Sequence, residues 1–427
     1  MVYSRSSARS WRSLSDGTQQ VTDEVKLLNA LKTSPALFNE LRGSFGSELA
    51  IQQKLRRRYD AALVRAAIVV QEARTKAEGK LPNACQLWLT RVGLEQSTAW
   101  EVAQHKARRF PEGQHVLDLC SGIGVDTAAL LSRGSVTSVD VDPAMALRCQ
   151  WNIETWMECN AVNAGGAWQQ DTTDVLGLNL SEKLVHLDPD RRKGRDRPAK
   201  RLEHYHPDLQ GMQQLVQTAG GGALKLGPAS NFMQKFPQSE IELISQNGEC
   251  REATVWFGSL AGEKSFRATV LPSGESISAD PLDAWCPTTD TFSDYILDPD
   301  PAVVRSGLLD TVGEIHSLKR LDKEDEYLTG AKIPDTAFVQ GFAIEAVLGN
   351  NPRELKRFLR ANPGRDYEIK CRHLSVNANT VRRQLPRGDG PIKVLFYVRR
   401  AGKATVVVAR RKKTEELLCK LRRRVGF

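Results

Sequence analysis

The short, largely apolar run His115–Leu119 carries one acid, Asp118, and leads into Cys120-Ser121-Gly122-Ile123-Gly124 and then at once into helix-forming residues. A strand that enters a Gly-rich turn and feeds a helix aims backbone N–H groups and a helix N-terminus at a ligand. Two ligands compete for such a turn. A dinucleotide asks for G-x-G-x-x-G; Gly122 and Gly124 supply the first two positions, but Thr127 stands at the third. The surrounding acids favour the other ligand. Asp118 lies inside the strand end, where an acid can take an amine. Asp140 ends the next apolar run, where an acid accepts two hydrogen bonds from a ribose diol. Asp171 follows a third expected strand and can meet an adenine amino group. An amine acid, a ribose acid and an adenine acid at three successive strand ends describe S-adenosylmethionine better than a pyrophosphate. Cys120 lies inside the same cofactor turn and is read as packing there, not as a nucleophile.

A second stretch pairs an acid with a field of cations. Leu184–Leu187 reads as a strand and runs into Asp188-Pro189-Asp190. Seven basic residues follow within eleven positions: Arg191, Arg192, Lys193, Arg195, Arg197, Lys200 and Arg201. Arginine forks match phosphate oxygens, so this loop is expected to face a phosphate-bearing partner. Such contacts position a substrate and do not read its sequence. The histidines show no metal-ligand spacing, and no metal site is expected.

The elements that must position these residues are short apolar runs at His115–Leu119, Val136–Val141, Leu184–Leu187 and Ala223–Leu226, separated by helical stretches. Runs of this length fit strands buried on both faces, and helices between them imply parallel βαβ units. Two β-rich runs then flank Asn247-Gly248, the pair best suited to a two-residue hairpin turn. Ahead of the sheet, residues 22–110 space their apolar positions at three and four and read as helical, with Gly93 as a break. Residues 261–345 are acidic, with 7 Lys/Arg against 16 Asp/Glu, and read as a connecting region or small subdomain with one helix at 300–312. Residues 346–413 read as an α-β-α-β-β module whose first helix is capped by Asn351-Pro352 and carries a stripe of Arg353, Lys356, Arg357 and Arg360. Residues 1–21 and 414–427 are basic tails, the first expected to be disordered, and residues 111–260 are the expected catalytic domain.

At 427 residues the chain calls for two or three domains. Its net charge of +9 is polarised, since residues 351–427 hold 22 Lys/Arg against 6 Asp/Glu. A basic module beside a neutral-to-acidic body points to a polyanion partner at one end. The eight cysteines form no C-x-x-C pair, as expected of reduced cytoplasmic thiols. No apolar run approaches the roughly 20 residues of a membrane span.

"VLDLCSGIGVD", "VTSVDVDPAMALRCQWNIE", "LDPDRR" and the "QNGE" hairpin resemble the class I S-adenosylmethionine-dependent methyltransferases. "GLEQSTAWEVAQHKARRF", "LKLGP", "SQNGECRE" and the C-terminal module narrow the resemblance to bacterial methyltransferases with a THUMP-like C-terminal domain. It covers residues 85–413, most firmly 114–260. The resemblance implies an α/β fold: a Rossmann-like doubly wound sheet ending in an antiparallel hairpin, a helical N-terminal region and a small α+β domain. It also implies that the fourth strand end addresses the nucleophile, which makes Asp188, Pro189 and Arg191 the catalytic set. Amino-methylating relatives carry Asp/Asn-Pro-Pro and an aromatic there. This chain has Asp190 and Arg191 instead, and an Arg plane can also stack on a base. The implied partner is RNA. A protein or small anionic acceptor, or RNA binding without catalysis, remains as an alternative, and the sequence leaves the oligomeric state open.

Overall fold

A computed structural model of the protein describes residues 22–192, 195 and 197–411. The expected tails 1–21 and 414–427 and Lys193 of the basic loop lie outside the described residues. The chain forms two compact units: residues up to Ser239 together with Thr254–Gly262, and Glu240–Ala253 together with residues from Glu263 onward.

The first unit opens with helices, among them Pro35–Arg42, Glu48–Leu55, Ala61–Ala77, Arg91–Gln96 and Trp100–Ala107. Their starts follow capping chemistry: Asp60 accepts from the amides of Ala62 and Leu63, and Thr90 from that of Gly93. Leu31, Leu37, Leu55, Val64 and Ala67 form their core. Gly93, read as a break, lies inside the helix Arg91–Gln96. A Cβ there would stand 2.9 Å from Ile123 Cγ2, so glycine lets this helix approach the Gly-rich turn, and the chain breaks after Gln96 instead.

The sheet of this unit contains β1 (Val116–Leu119), β2 (Val136–Val139), β3 (Trp168–Asp171), β4 (Leu184–Leu187) and β5 (Gly221–Leu226). They run parallel in the order β3-β2-β1-β4-β5, followed by β7 (Glu249–Gly258). Val136, Val139, Val185, Leu187, Ala223 and Leu224 are buried, as strands covered on both faces require. The strand order reverses between β1 and β4, and there open α/β sheets hold ligands beyond the carboxyl ends of their strands.

In the second unit β6 (Glu240–Gln246) turns into β7 at Asn247-Gly248, both with positive φ of 54° and 78°. β6 pairs in parallel with β8 (Phe266–Leu271), which pairs with β9 (Glu275–Ala279). Residues 261–345, expected to hold few elements, also contribute β10 (Tyr295–Pro299), β11 (Lys319–Arg320) and β12 (Leu328–Gly330). Their acids serve turns and caps: Asp280 accepts from Ser265 N, Asp300 from Ala302 N, and Asp325 from Tyr327 N and Arg399 N. The single expected helix is two, Pro301–Ser306 and Leu309–Ile315, because Gly307 takes φ 75° and ends the first. A mixed sheet β11-β12-β10-β13-β16-β15-β14 follows, with β13 (Val339–Gly349), β14 (Tyr367–Cys371), β15 (Lys393–Arg400) and β16 (Lys403–Arg411). Helices Pro352–Ala361 and Ala378–Arg383 cover one face, where Leu355 and Leu359 pack with Leu395, Tyr397, Val406 and Val408.

Candidate active site

Strand register brings the site together. Leu119 of β1 pairs with both Val139 of β2 and Leu187 of β4 at their carboxyl ends, and Leu187 pairs with Leu224 of β5. The next residue of each chain segment, Cys120, Asp140, Asp188 and Lys225, therefore emerges at one rim. A cavity of about 290 Å³ opens there, lined on one side by Cys120, Gly122, Asp140, Val141 and Met145, and on another by Asp126, Asp188, Asp190 and His206. Gln96 and Ser97 of the N-terminal helices and Asp174-Val175-Leu176 close it.

The Gly-rich turn is built by left-handed backbone: φ is 60° at Cys120, 54° at Gly122 and 86° at Gly124. No atom lies within 4 Å of where a Cβ would stand on Gly122, whereas on Gly124 it would meet Cys149 Sγ at 2.7 Å. One glycine leaves space at the cavity, and the other lets the turn rest on the helix Pro143–Glu158. Asn152 of that helix donates to the carbonyl of Ile123 at 3.0 Å and fixes the turn from below. Asp140 accepts from Gly122 N and Asp142 N, both at 2.9 Å. Burial raises its carboxyl above the ordinary range, and those two amides hold it back. Burial likewise drives the Cys120 thiol well up, aided by Asp140 and Asp188, which suits packing and disfavours a thiolate.

Two expected cofactor acids stand elsewhere. Asp118 is one residue short of the β1 end, level with His186 of β4, and its carboxylate is fully buried. It accepts from Thr127 Oγ1 and lies 2.7 Å from His186 Nδ1, so it does not line the cavity. Thr127, at the third dinucleotide glycine position, thus uses its hydroxyl inside the core. Asp171 pairs with Val139 and so ends one register position below Asp140; it is exposed, and Asp174, Val175 and Leu176 line the cavity instead.

Of the expected catalytic set, Asp188 lines the cavity while Pro189 is buried behind it. Arg191 is turned to Gly227, where a Cβ would meet its Nη1 at 2.8 Å, and its amide donates to Gln96 Oε1 at 3.4 Å. It does not line the cavity. The basic loop is less free than its composition suggests. Arg192 pairs with Glu95 at 2.7 Å, Arg201 lies 3.7 Å from Glu203, and Arg195 lies 3.4 Å from His204 Nδ1. Arg197 and Lys200 are exposed. Asn231 and Lys235 anchor the far end of the loop through Leu202 and Glu203.

Sequence reasoning missed the charges that face Asp188 and Asp126. Lys225 Nζ donates to Asp188 Oδ2 at 2.6 Å and to Gln96 O at 2.9 Å. Lys106 Nζ lies 2.9 Å from Asp126 Oδ1 and 3.2 Å from His186 Nε2, and Thr98 donates to Asp126 Oδ2 at 2.5 Å. Burial alone would raise the Asp126 carboxyl, yet Lys106 holds it well below the ordinary range, and the Thr98 hydroxyl adds to this. A signal was present: a lysine in the apolar run "GGALKL" and a histidine in "LVHL" must each find a buried partner.

A family model described as THUMP domain-like matches residues 339–411. Over 352 residues the chain is 34% identical to an uncharacterized S-adenosylmethionine-dependent methyltransferase of Mycobacterium tuberculosis H37Rv, and equally to that of strain CDC 1551. That similarity covers 79% of this chain and 93% of the relative. The chain belongs to the S-adenosylmethionine-dependent methyltransferases. A crystal structure of a proposed methyltransferase from Porphyromonas gingivalis W83 matches with a TM-score of 0.71 over 91% of this chain and 98% of that one, at 21% identity, a likeness of fold. The cofactor of this methyltransferase is S-adenosylmethionine, and the cavity fits it. Gly122 leaves backbone approach clear, Asp140 offers acceptor oxygens, and Val141, Met145, Val175 and Leu176 give apolar walls for a purine. Among the described residues no helix is long and apolar enough to cross a membrane.

Proposed function

We propose that this methyltransferase acts on RNA by direct in-line transfer, with Asp188 facing the acceptor. S-adenosylmethionine supplies a methyl group on a sulfonium, a leaving group that needs no proton. The turn Cys120–Gly124 and Asp140 hold the cofactor, and Asp174, Val175 and Leu176 border its base. Asp188 accepts an N–H or O–H of the acceptor group and so fixes the direction of its lone pair. Alignment is the main requirement of such a transfer, because little covalent help is needed.

The observation that carries the RNA reading is the outer face of the helices Pro352–Ala361 and Ala378–Arg383. Arg353, Lys356, Arg357, Arg360 and Arg383 form no ion pair among the described residues, although the cations of the 191–201 loop in part do. Unpaired cations spaced along a surface suit a chain of phosphates. The match to a THUMP domain-like model supports the same partner. The cavity itself speaks against a small anionic acceptor, since Asp126, Asp140, Asp142, Asp174, Asp188 and Asp190 all line it.

The test is transfer of labelled methyl from S-adenosylmethionine to total RNA of cells lacking this protein, with Asp188→Ala as control. Label that disappears in the variant supports the reading. RNA left unlabelled by an enzyme that still binds cofactor would overturn it.

A further inference from the structure

We propose that Lys225 is the positioning residue of the transfer site: tied to the carbonyl of Gln96, its ammonium fixes one oxygen of Asp188 and leaves the other for the acceptor. The proposal rests on the reading that Asp188 faces the acceptor, and it concerns a residue outside the expected site.

The geometry follows from the strand period. Along β5, Ala223 and Lys225 share a face; along β4 and its extension, His186 and Asp188 do, with Ala223 paired to His186. Lys225 is therefore delivered beside Asp188 by register alone. Its side chain is 6% exposed, and its ammonium makes two hydrogen bonds, 2.6 Å to Asp188 Oδ2 and 2.9 Å to Gln96 O. A lysine buried so deeply in an apolar strand is stable only with such partners. Gln96 also receives the amide of Arg191 on its side-chain oxygen at 3.4 Å, so one residue of the N-terminal helices registers both sides of the "DPDRR" turn.

Every element packed on Asp188 contributes a charge or a titratable group. Lys225 comes from β5, Lys106 from the helix Trp100–Ala107, Asp126 from the helix after the Gly turn, and Cys120 from the turn itself. Asp190 lies on its own loop, and His206 is bridged to Asp190 through the backbone. Burial is the largest influence and pushes the Asp188 carboxyl up; Lys225 opposes it, Asp126 adds to it, and Lys106 opposes it from further away. Lys106 is already committed to Asp126 and His186. Lys225 is thus the principal cation favouring the carboxylate form of Asp188, the form that accepts and does not donate.

The deciding experiment observes the ionisation of Asp188 directly. Protein labelled at the aspartate carboxyl carbon is titrated by NMR, with Asp188→Asn identifying the Asp188 signal. In Lys225→Met the Asp188 midpoint is expected at least about one unit higher than in wild type, a tenfold change in its dissociation constant. Lys225→Gln, which keeps a donor without charge, is expected to shift in the same direction, and it replaces Lys225→Met if that variant does not fold. Lys225→Arg is expected to stay within about half a unit of wild type, because the charge persists. The acid limb of kcat/KM for RNA should move with the NMR midpoint. A merely structural lysine would lower stability and leave both unmoved, which would overturn the proposal. An acid limb that stays put while the NMR midpoint moves would overturn it as well. If wild-type protein labels no RNA, the RNA reading falls, while the NMR titration still decides whether Lys225 governs Asp188.

Discussion

His186 lies between Asp118 and Lys106 in the core, its Nδ1 2.7 Å from Asp118 Oδ1 and its Nε2 3.2 Å from Lys106 Nζ. The ammonium can only donate, so Nε2 is the acceptor, and Nδ1 carries the hydrogen that Asp118 accepts. The imidazole thereby links a carboxylate on β1 to a lysine of the N-terminal helices. Replacing His186 with Ala leaves a buried carboxylate and a buried ammonium without their shared partner. We expect a loss of about 3–5 kcal/mol in chemical denaturation followed by tryptophan fluorescence. A loss below about 1 kcal/mol would show that the shared imidazole contributes little to the fold.

Asp140 holds the Gly122 amide and offers its remaining acceptor capacity to the cavity. Asp140→Asn should weaken S-adenosylmethionine binding by about 1.5–3 kcal/mol, roughly ten- to a hundredfold in calorimetry. The sign with pH follows from its raised carboxyl. The ionised form is the better acceptor, so affinity should be full at neutral pH and fall as pH drops through that raised value. In Asp140→Asn this pH dependence should be absent.

At Gly124 the φ is 86° and an added Cβ would meet Cys149 Sγ at 2.7 Å, and the two costs can be separated. Gly124→Ala pays for the left-handed backbone, about 1–2 kcal/mol, and for the clash with Cys149 Sγ. Pairing it with Cys149→Ala removes the clash alone. Thermal denaturation of the double variant should recover part of the loss relative to the sum of the single variants, and strict additivity would contradict the packing argument.

RNA affinity measured by fluorescence anisotropy against salt should report where the phosphates lie. About six contacts to single-stranded RNA give a log–log slope near roughly −4. Arg357→Ala with Arg360→Ala should lower that slope by about 1.4, whereas Arg192→Ala should change it little, because Glu95 already holds that guanidinium. The opposite order would move the grip to the loop beside the cavity.

The part of this protein legible in its sequence is the part governed by local chemistry. The Gly-rich turn after β1, the Asn247-Gly248 hairpin and the Asn351-Pro352 helix start each follow from what a few adjacent residues can adopt. The apolar runs announced β1, β2, β4 and β5 because strands covered on both faces cannot hide their composition. Their carboxyl ends already marked the site. What tertiary structure alone decided is which charged side chains meet there. Asp118 and His186 are 68 residues apart, Lys106 and His186 80, and Lys225 and Gln96 129. Asp118, Asp140 and Asp171 look alike in a linear reading, yet one position of register turns the first into the core and leaves the last in solvent, while Asp140 faces the cavity. A carboxylate's role depends on the dielectric around it and on the nearest opposite charge, and both are set by residues far away in the chain.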